Sequence, residues 1–243
     1  MRSFAVHLTP NLTTPDELAG GTVVVIDVLR ASTTIVHALA AGATAVIPCL
    51  EIDEARQLAA RFSPDRVILG GERGGLKIDG FDLGNSPSEY TLERVGGKTV
   101  VFTTTNGTRA MQMCHRAARV LIGAAVNRQA VAERLQFCAK VHLLCAGTDG
   151  RISSEDVLAA GLIGQCAAPD QIERNDEAEL AVLASRALCE GGRERLAAAF
   201  AHSRGGKNLI ALGSRSDIVT AAQLDQSAIV PELDLATWRI TAG

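Results

Sequence analysis

Residues 23–49, VVVIDVLRASTTIVHALAAGATAVIPC, decide the architecture. Val23 to Val28 is an apolar run rich in β-branched residues. Ile35 to Ala41 is an apolar helical stretch, and Gly42 turns the chain into a second apolar run, Ala45 to Cys49. Both runs are nearly continuous in hydrophobicity rather than alternating, the pattern of strands covered on both faces of a parallel sheet. The unit therefore reads β-α-β, and the same grammar recurs on either side of it. Arg66 to Gly71, Lys98 to Thr103, Arg119 to Ala124 and Lys140 to Cys145 are further candidate strands, separated by helical stretches such as Glu51 to Phe62 and Gln129 to Cys138, the latter with Asn127 as its expected cap. Ser86-Pro87-Ser88-Glu89 has the form of another helix start, with a Ser cap, Pro in the first turn and Glu three residues on. After Ser153 the pattern becomes helical at Ser154 to Cys166, Asp176 to Glu190 and Arg195 to Ala201. A Gly-rich stretch (Gly205, Gly206, Gly213) then leads to a short C-terminal portion. The expectation is an α/β fold, three-layer α/β/α with a largely parallel or mixed sheet. It forms a single catalytic unit over residues 1–243, with room for two lobes: a β-α lobe over about 1–150 and a helix-rich one over about 151–243.

Composition removes several function classes. With 47 % hydrophobic and 21 % charged residues in 243, disorder and fibrous structure are out. A net charge of −3 gives no general attraction for phosphate backbones, and Trp238 and Tyr90 in a chain only 3 % aromatic supply no base-stacking platform, so no nucleic-acid partner is expected. Ala31 to Leu50 lacks acidic and basic residues apart from His37 and has the length of a membrane span. Its Ser32, Thr33, Thr34, Gly42, Thr44 and Pro48 fit a buried helix, turn and strand better, so no membrane is expected. The start, MRSFAVHLTPNLTTPDE, has no signal-peptide core, and the six scattered cysteines lack metal or redox spacing. The expected location is the cytoplasm. Oligomeric state is open, since apolar stretches such as Ala178 to Leu188 suit a core or a homo-oligomer interface equally.

Ligands of parallel α/β sheets bind beyond the carboxyl ends of strands, where helix N-termini also point. Unusual polar residues follow strands four times. In VVVIDVLRASTT, Asp27 ends an apolar run, with Arg30 and Ser32 on the turn that opens a helix. A buried carboxylate there needs a cation, met either by a plain Asp27–Arg30 pair or by a metal or nucleophilic role. In VILGGERGGLKIDGFDLGNSPSE, Glu72 and Arg73 stand between glycines that let a ligand approach the backbone, while Asp79 and Asp82 also fit a solvated loop. In VVFTTTNGTRA, Thr104, Thr105, Asn106 and Gly107 form a hydroxyl- and amide-rich helix entry suited to an anion, or an ordinary capped turn. In LLCAGTDGRISSEDVLAAG, Glu155 and Asp156 open a helix after the strand that ends in Cys145. Acidic first turns also occur for dipole reasons alone.

Absences narrow the chemistry. G-x-G-x-x-G, Walker A, D-x-D and G-x-S-x-G motifs are missing, and the five histidines show no zinc pattern. Cys145 and Arg151 have the spacing of cysteine-dependent phosphatases, which keeps Cys145 as a candidate nucleophile and Arg151 as a candidate phosphate ligand, but Asp149 between them would repel thiolate and phosphate alike. Hard carboxylates without a His or Cys cluster suit Mg²⁺, which engages one or two carboxylates plus phosphate oxygens. The residues thus point to a Mg²⁺-assisted phosphoryl site for a small anionic phosphate ester. Asp27, Glu72, Glu155 and Asp156 are the candidate metal ligands, and Asp27, Glu72 and Cys145 the candidate catalytic groups. Arg30, Ser32, Arg73 and Arg151, with Thr104 to Gly107, are the candidate substrate ligands. A metal-activated water is the expected nucleophile, with direct attack by Asp27 as the alternative.

The strings DVLRASTT, GERGG with GFDLGNSPSE, TTTNGT, and CAG with SSEDVLAAG closely resemble, in that order, the 2-phosphosulfolactate phosphatase family. The similarity is specific from Val23 to Gly164 and looser from Asn208 to Pro231. It implies a Mg²⁺-dependent phosphatase with an α/β fold of its own that releases phosphate from phosphosulfolactate to give sulfolactate, a step towards coenzyme M. A phosphatase for another phosphorylated 2-hydroxy acid, or a non-catalytic anion-binding protein, fits the same residues.

Overall fold

The structure is a computed structural model describing residues 2–167, 172–189 and 192–243. Along the chain the strands are β1 (Ser3–His7), β2 (Thr22–Ile26), β3 (Ala45–Cys49), β4 (Val67–Arg73), β5 (Leu76–Lys77), β6 (Thr99–Thr103), β7 (Arg119–Gly123), β8 (Lys140–Cys145), β9 (Glu173–Arg174), β10 (Pro231–Asp234) and β11 (Arg239–Ala242). The helices are α1 (Pro15–Leu18), α2 (Ala31–Ala40), α3 (Ile52–Ala59), α4 (Leu92–Val95), α5 (Asn106–Met113), α6 (Arg128–Leu135), α7 (Ser154–Ala167), α8 (Asp176–Cys189), α9 (Gly192–His202), α10 (Arg204–Ala211) and α11 (Arg215–Ala221). All strands join one mixed sheet in the order β5-β4-β6-β3-β11-β10-β7-β2-β8-β1-β9.

The apolar runs behave as strands between two helical layers. On β2, Val24 and Ile26 face a core built with α6 to α11, while Val23 and Val25 face a second core built around α2 and α5. That division follows from the two-residue period of a strand. A third, smaller core lies where α3 covers Val101 of β6.

The sheet has two parallel blocks, β7-β2-β8-β1 and β3-β6-β4, joined by the antiparallel hairpin of β10 and β11. Three consecutive antiparallel junctions make the blocks run in opposite senses. The sheet nevertheless curls around α2, which touches β3, β7, β10 and β11. Five strand-to-strand steps separate β2 from β6. At the usual twist of about 20–25° each, they turn the far block through roughly 100–125° and swing its carboxyl ends back towards those of the near block.

Several local expectations change. Ser86 to Glu89 makes a single 3-10 turn, Pro87–Glu89, without a side-chain cap, because the Ser86 hydroxyl donates to Asp217. Asn127 stands before α6, but its amide oxygen accepts from Ala124 N–H and its amide nitrogen donates to the Ile122 and Ile229 carbonyls, stitching β7 to the C-terminal segment. Gly205 and Gly206 lie inside α10 rather than in a loop, with the Ser203 hydroxyl accepting from Gly206 N–H. The expected helix end at Glu190 lies outside the described residues. Cys49, Cys114, Cys138 and Cys145 are free thiols. Among the described residues no helix is long and apolar enough to cross a membrane.

Candidate active site

The turn after β2 organises the site. Asp27 N–H donates to Ser32 Oγ at 2.9 Å, the Ser32 hydroxyl donates to the Val25 carbonyl, and Ser32 N–H returns to the Asp27 carbonyl at 2.7 Å. Ser32 is wholly buried, so it shapes the turn instead of meeting a ligand. The Asp27 carboxylate accepts from Ala31 N–H and faces Gly107 N–H across the gap to α5. A Cβ on Gly107 would sit 2.9 Å from both Asp27 Oδ2 and Ala31 Cβ, so only glycine lets the two helix starts close around this carboxylate. Burial, then the negative charges of Glu72 and Glu155, push the Asp27 carboxyl up to about 7.

Glu72 arrives from the opposite block at the end of β4. Its oxygens accept from Gly75 N–H at 2.8 Å and Thr105 N–H at 3.2 Å, which fixes the carboxylate where β4 and the loop after β6 meet. Asp27, Glu72, Arg30, Thr105 and Asn106 line one cavity of about 350 Å³. Arg30 does not pair with Asp27. Its guanidinium donates to Asp217 of α11 and to the Gly75 carbonyl, each at 2.7 Å, in an almost fully buried arrangement. Asp217 accepts at its other oxygen from Ser86.

The remaining candidates stand outside this cavity. Glu155 and Asp156 are buried behind it. Asp156 accepts from Val28 N–H and Gly147 N–H, tying the loop after β2 to the loop after β8. Burial and the neighbouring Glu155 and Asp27 charges hold its carboxyl well above the ordinary range. Burial also raises Glu155, whose Oε2 is enclosed without a hydrogen-bond partner. The Arg73 guanidinium turns back to the carbonyls of Glu72 and Leu50 and to the Thr103 hydroxyl. Thr104 is buried against Thr108. Arg151 is exposed and closes a turn with Thr148 through backbone pairing. Cys145 lies fully in the core, where burial and then Asp156 and Glu155 push its thiol far above its usual value. That is the opposite of an activated nucleophile.

The C-terminal segment adds cavity groups that the sequence reading passed over. Arg204 and Asn208 of α10 line it, and Asp217 holds Arg30. The usable signal was SRGGKN: Arg204 and Asn208 share a helix face at i, i+4, beside a glycine pair that permits close packing.

The carboxylates suit a divalent cation. The negative charges of Glu72 and Glu155 both bear on Asp27, and one enclosed Glu155 oxygen lacks a donor. Among the described residues no group of three His, Cys, Asp or Glu side chains could by itself hold an ion. The Asp27 and Glu72 carboxylates, with the unpartnered Glu155 oxygen near Asp27, fit the donor chemistry of Mg²⁺, which takes one or two carboxylates and completes its shell with water and phosphate oxygens.

A family model described as 2-phosphosulpholactate phosphatase matches residues 7–235. The chain belongs to the 2-phosphosulpholactate phosphatase family. A protein of Symbiobacterium thermophilum named "Probable 2-phosphosulfolactate phosphatase" is 45 % identical over 225 residues, covering 91 % of this chain and 94 % of the relative. Identically named proteins of Thermotoga petrophila (42 % over 214 residues, 87 % and 88 % covered) and Clostridium novyi (39 % over 219 residues, 89 % and 91 % covered) align over similar spans. The 2-phosphosulpholactate phosphatase family belongs to the phosphoric monoester hydrolases, and the polar cavity holding Asp27, Glu72 and Arg30 lies within the matched residues.

Proposed function

We propose that this chain hydrolyses 2-phosphosulfolactate to sulfolactate and phosphate with the help of Mg²⁺, in the cavity between Asp27, Glu72 and Arg30. The observation that carries the reading is the meeting of two carboxylates from opposite sheet blocks with a buried, fixed guanidinium in a space of substrate size. Asp27 and Glu72 would hold Mg²⁺, with Glu155 behind them. When bound, the ion neutralises charge on the phosphoryl oxygens. Arg30, held by Asp217 and Gly75, faces the phosphoryl group without having to reorganise. The first turn of α5 begins at Asn106, which lines the same cavity and would offer its backbone N–H to this anion. Water attacks phosphorus as the bond to the lactate oxygen breaks, and the Asp27 carboxylate accepts the proton that this water gives up. The freed oxygen takes up a proton from solvent and leaves as the sulfolactate hydroxyl, and Asp27 returns its proton to solvent before the next turnover. On this reading the product feeds the route towards coenzyme M in the cytoplasm.

The test is phosphate release from 2-phosphosulfolactate in the presence of Mg²⁺, after chelation, and after Mg²⁺ is restored. Release that stops on chelation and returns with Mg²⁺ is expected. Release indifferent to chelation would remove the metal from the scheme. No release from this ester, with turnover of phospholactate or phosphoglycolate, would move the substrate to another phosphorylated 2-hydroxy acid.

A further inference from the structure

The cavity must receive three anionic groups if the substrate is the one proposed above: phosphate, carboxylate and sulfonate. The two cationic side chains among the residues lining it are Arg30 and Arg204. Arg30 already donates at 2.7 Å to Asp217 and to Gly75, which directs it to a single ligand group. Arg204 differs. Among the described residues its one ion-pair partner is Asp149, at 3.5 Å, a separation beyond an ordinary charged hydrogen bond. The side chains are 48 % and 71 % exposed, so the pair is weak and its donors are readily given up.

The placement of Arg204 is nonetheless built. A Cβ on Gly205 would collide with Glu155, so α10 starts close against the carboxylate cluster, with Leu29 alongside. One turn further, Asn208 faces the same cavity, and its Nδ2 would lie 3.0 Å from a Cβ on Gly75. Asp149 lines the same cavity from the loop after β8. Its backbone is left-handed, with φ of 53°, and its N–H donates to Asn106 Oδ1. An acidic side chain on the wall of a site for a multiply charged anion is costly unless it has a task.

We propose that Arg204, assisted by Asn208, binds the sulfonate of the substrate, and that Asp149 holds the guanidinium until that sulfonate displaces it. This inference rests on the reading of the cavity as a phosphosulfolactate site. Arg204 is then a specificity-determining residue. A planar guanidinium can bind two sulfonate oxygens at once. A substrate with a methyl group in that place leaves Arg204 with Asp149 and gains nothing.

The experiment compares kcat/KM for 2-phosphosulfolactate and phospholactate in the wild type, Arg204→Ala and Asp149→Asn, together with calorimetric titration of sulfolactate and lactate. Charged hydrogen bonds of this kind set the expected loss. Arg204→Ala should lower the preference for the sulfonated ester about tenfold to a hundredfold, chiefly through KM. Asp149→Asn should tighten sulfolactate binding about two- to fivefold, as removal of a weak competing pair predicts. Equal losses on both esters in Arg204→Ala, or sulfolactate binding unchanged in both variants, would overturn the proposal. Absence of phosphate release from 2-phosphosulfolactate by the wild type would overturn the proposed activity instead, and the sulfolactate titration would still decide the role of Arg204.

Discussion

Asp27 concentrates the electrostatic conflict of the site. Its carboxyl stands at about 7 instead of 3.8, so between those values the folded chain keeps a proton that the unfolded chain has lost. The resulting stabilisation is fully present below pH 3.8 and is lost as pH rises through about 7. Thermal melts of metal-free protein should therefore show the wild type losing ground to Asp27→Asn between pH 5 and pH 8. Mg²⁺ added at pH 8 should raise the melting temperature of the wild type and leave Asp27→Asn unmoved. Parallel curves with and without Mg²⁺ would deny the carboxylate its metal. The same variant should lose nearly all phosphate release. Cys145 makes the contrasting case: buried and far from thiolate, it should tolerate replacement, and Cys145→Ala should retain most turnover in a phosphate-release assay despite some loss of stability. Asp27 and Glu72 could be picked out from sequence because a charged residue ending an apolar run stands out by chemistry alone. Arg73, Arg151 and Thr104 could not be sorted from their neighbours, since only the direction of a side chain separates a cavity wall from a backbone tie.

Among the elements, α11 has a function that its sequence conceals. Asp217 looks like any acidic residue in a first helical turn, yet it meets Arg30 at 2.7 Å with both side chains almost fully buried. Removing one partner of such a pair leaves a bare charge in the interior, at a cost of about 3–5 kcal/mol. Asp217→Ala should lower the denaturation midpoint accordingly, and Asp217→Asn should fold better while raising KM for the phosphate ester. Intact KM in Asp217→Asn would show that Arg30 needs no such partner. The β-α units around β2, β3, β6, β7 and β8 were readable because buried parallel strands and their helices announce themselves by hydrophobic period. β10 and β11 escaped that reading. Four residues each, beginning with Pro231 and Arg239, are too short to display a period.

At the scale of the molecule, polar residues that follow β2, β4 and β6 line one cavity, but they reach it by a route other than a common sheet edge. The loops after β2 and β8 belong to one block and those after β4 and β6 to a block of opposite sense, and within the sheet the two are linked through β10 and β11. No local pattern encodes that curl, because it arises from pairings such as Ile240 with Val46, nearly two hundred positions apart. Deleting the hairpin should abolish cooperative unfolding by circular dichroism as well as activity; a truncated protein that still melted in one sharp transition would show that the blocks hold together without it. Contacts so remote in sequence form late, after loop entropy has been overcome. Until the hairpin inserts, β7 and β3 each present a bare row of peptide groups on which another molecule could add a strand. Refolding yield should thus fall as concentration rises, since the hairpin that links the blocks also shields the chain from its own copies.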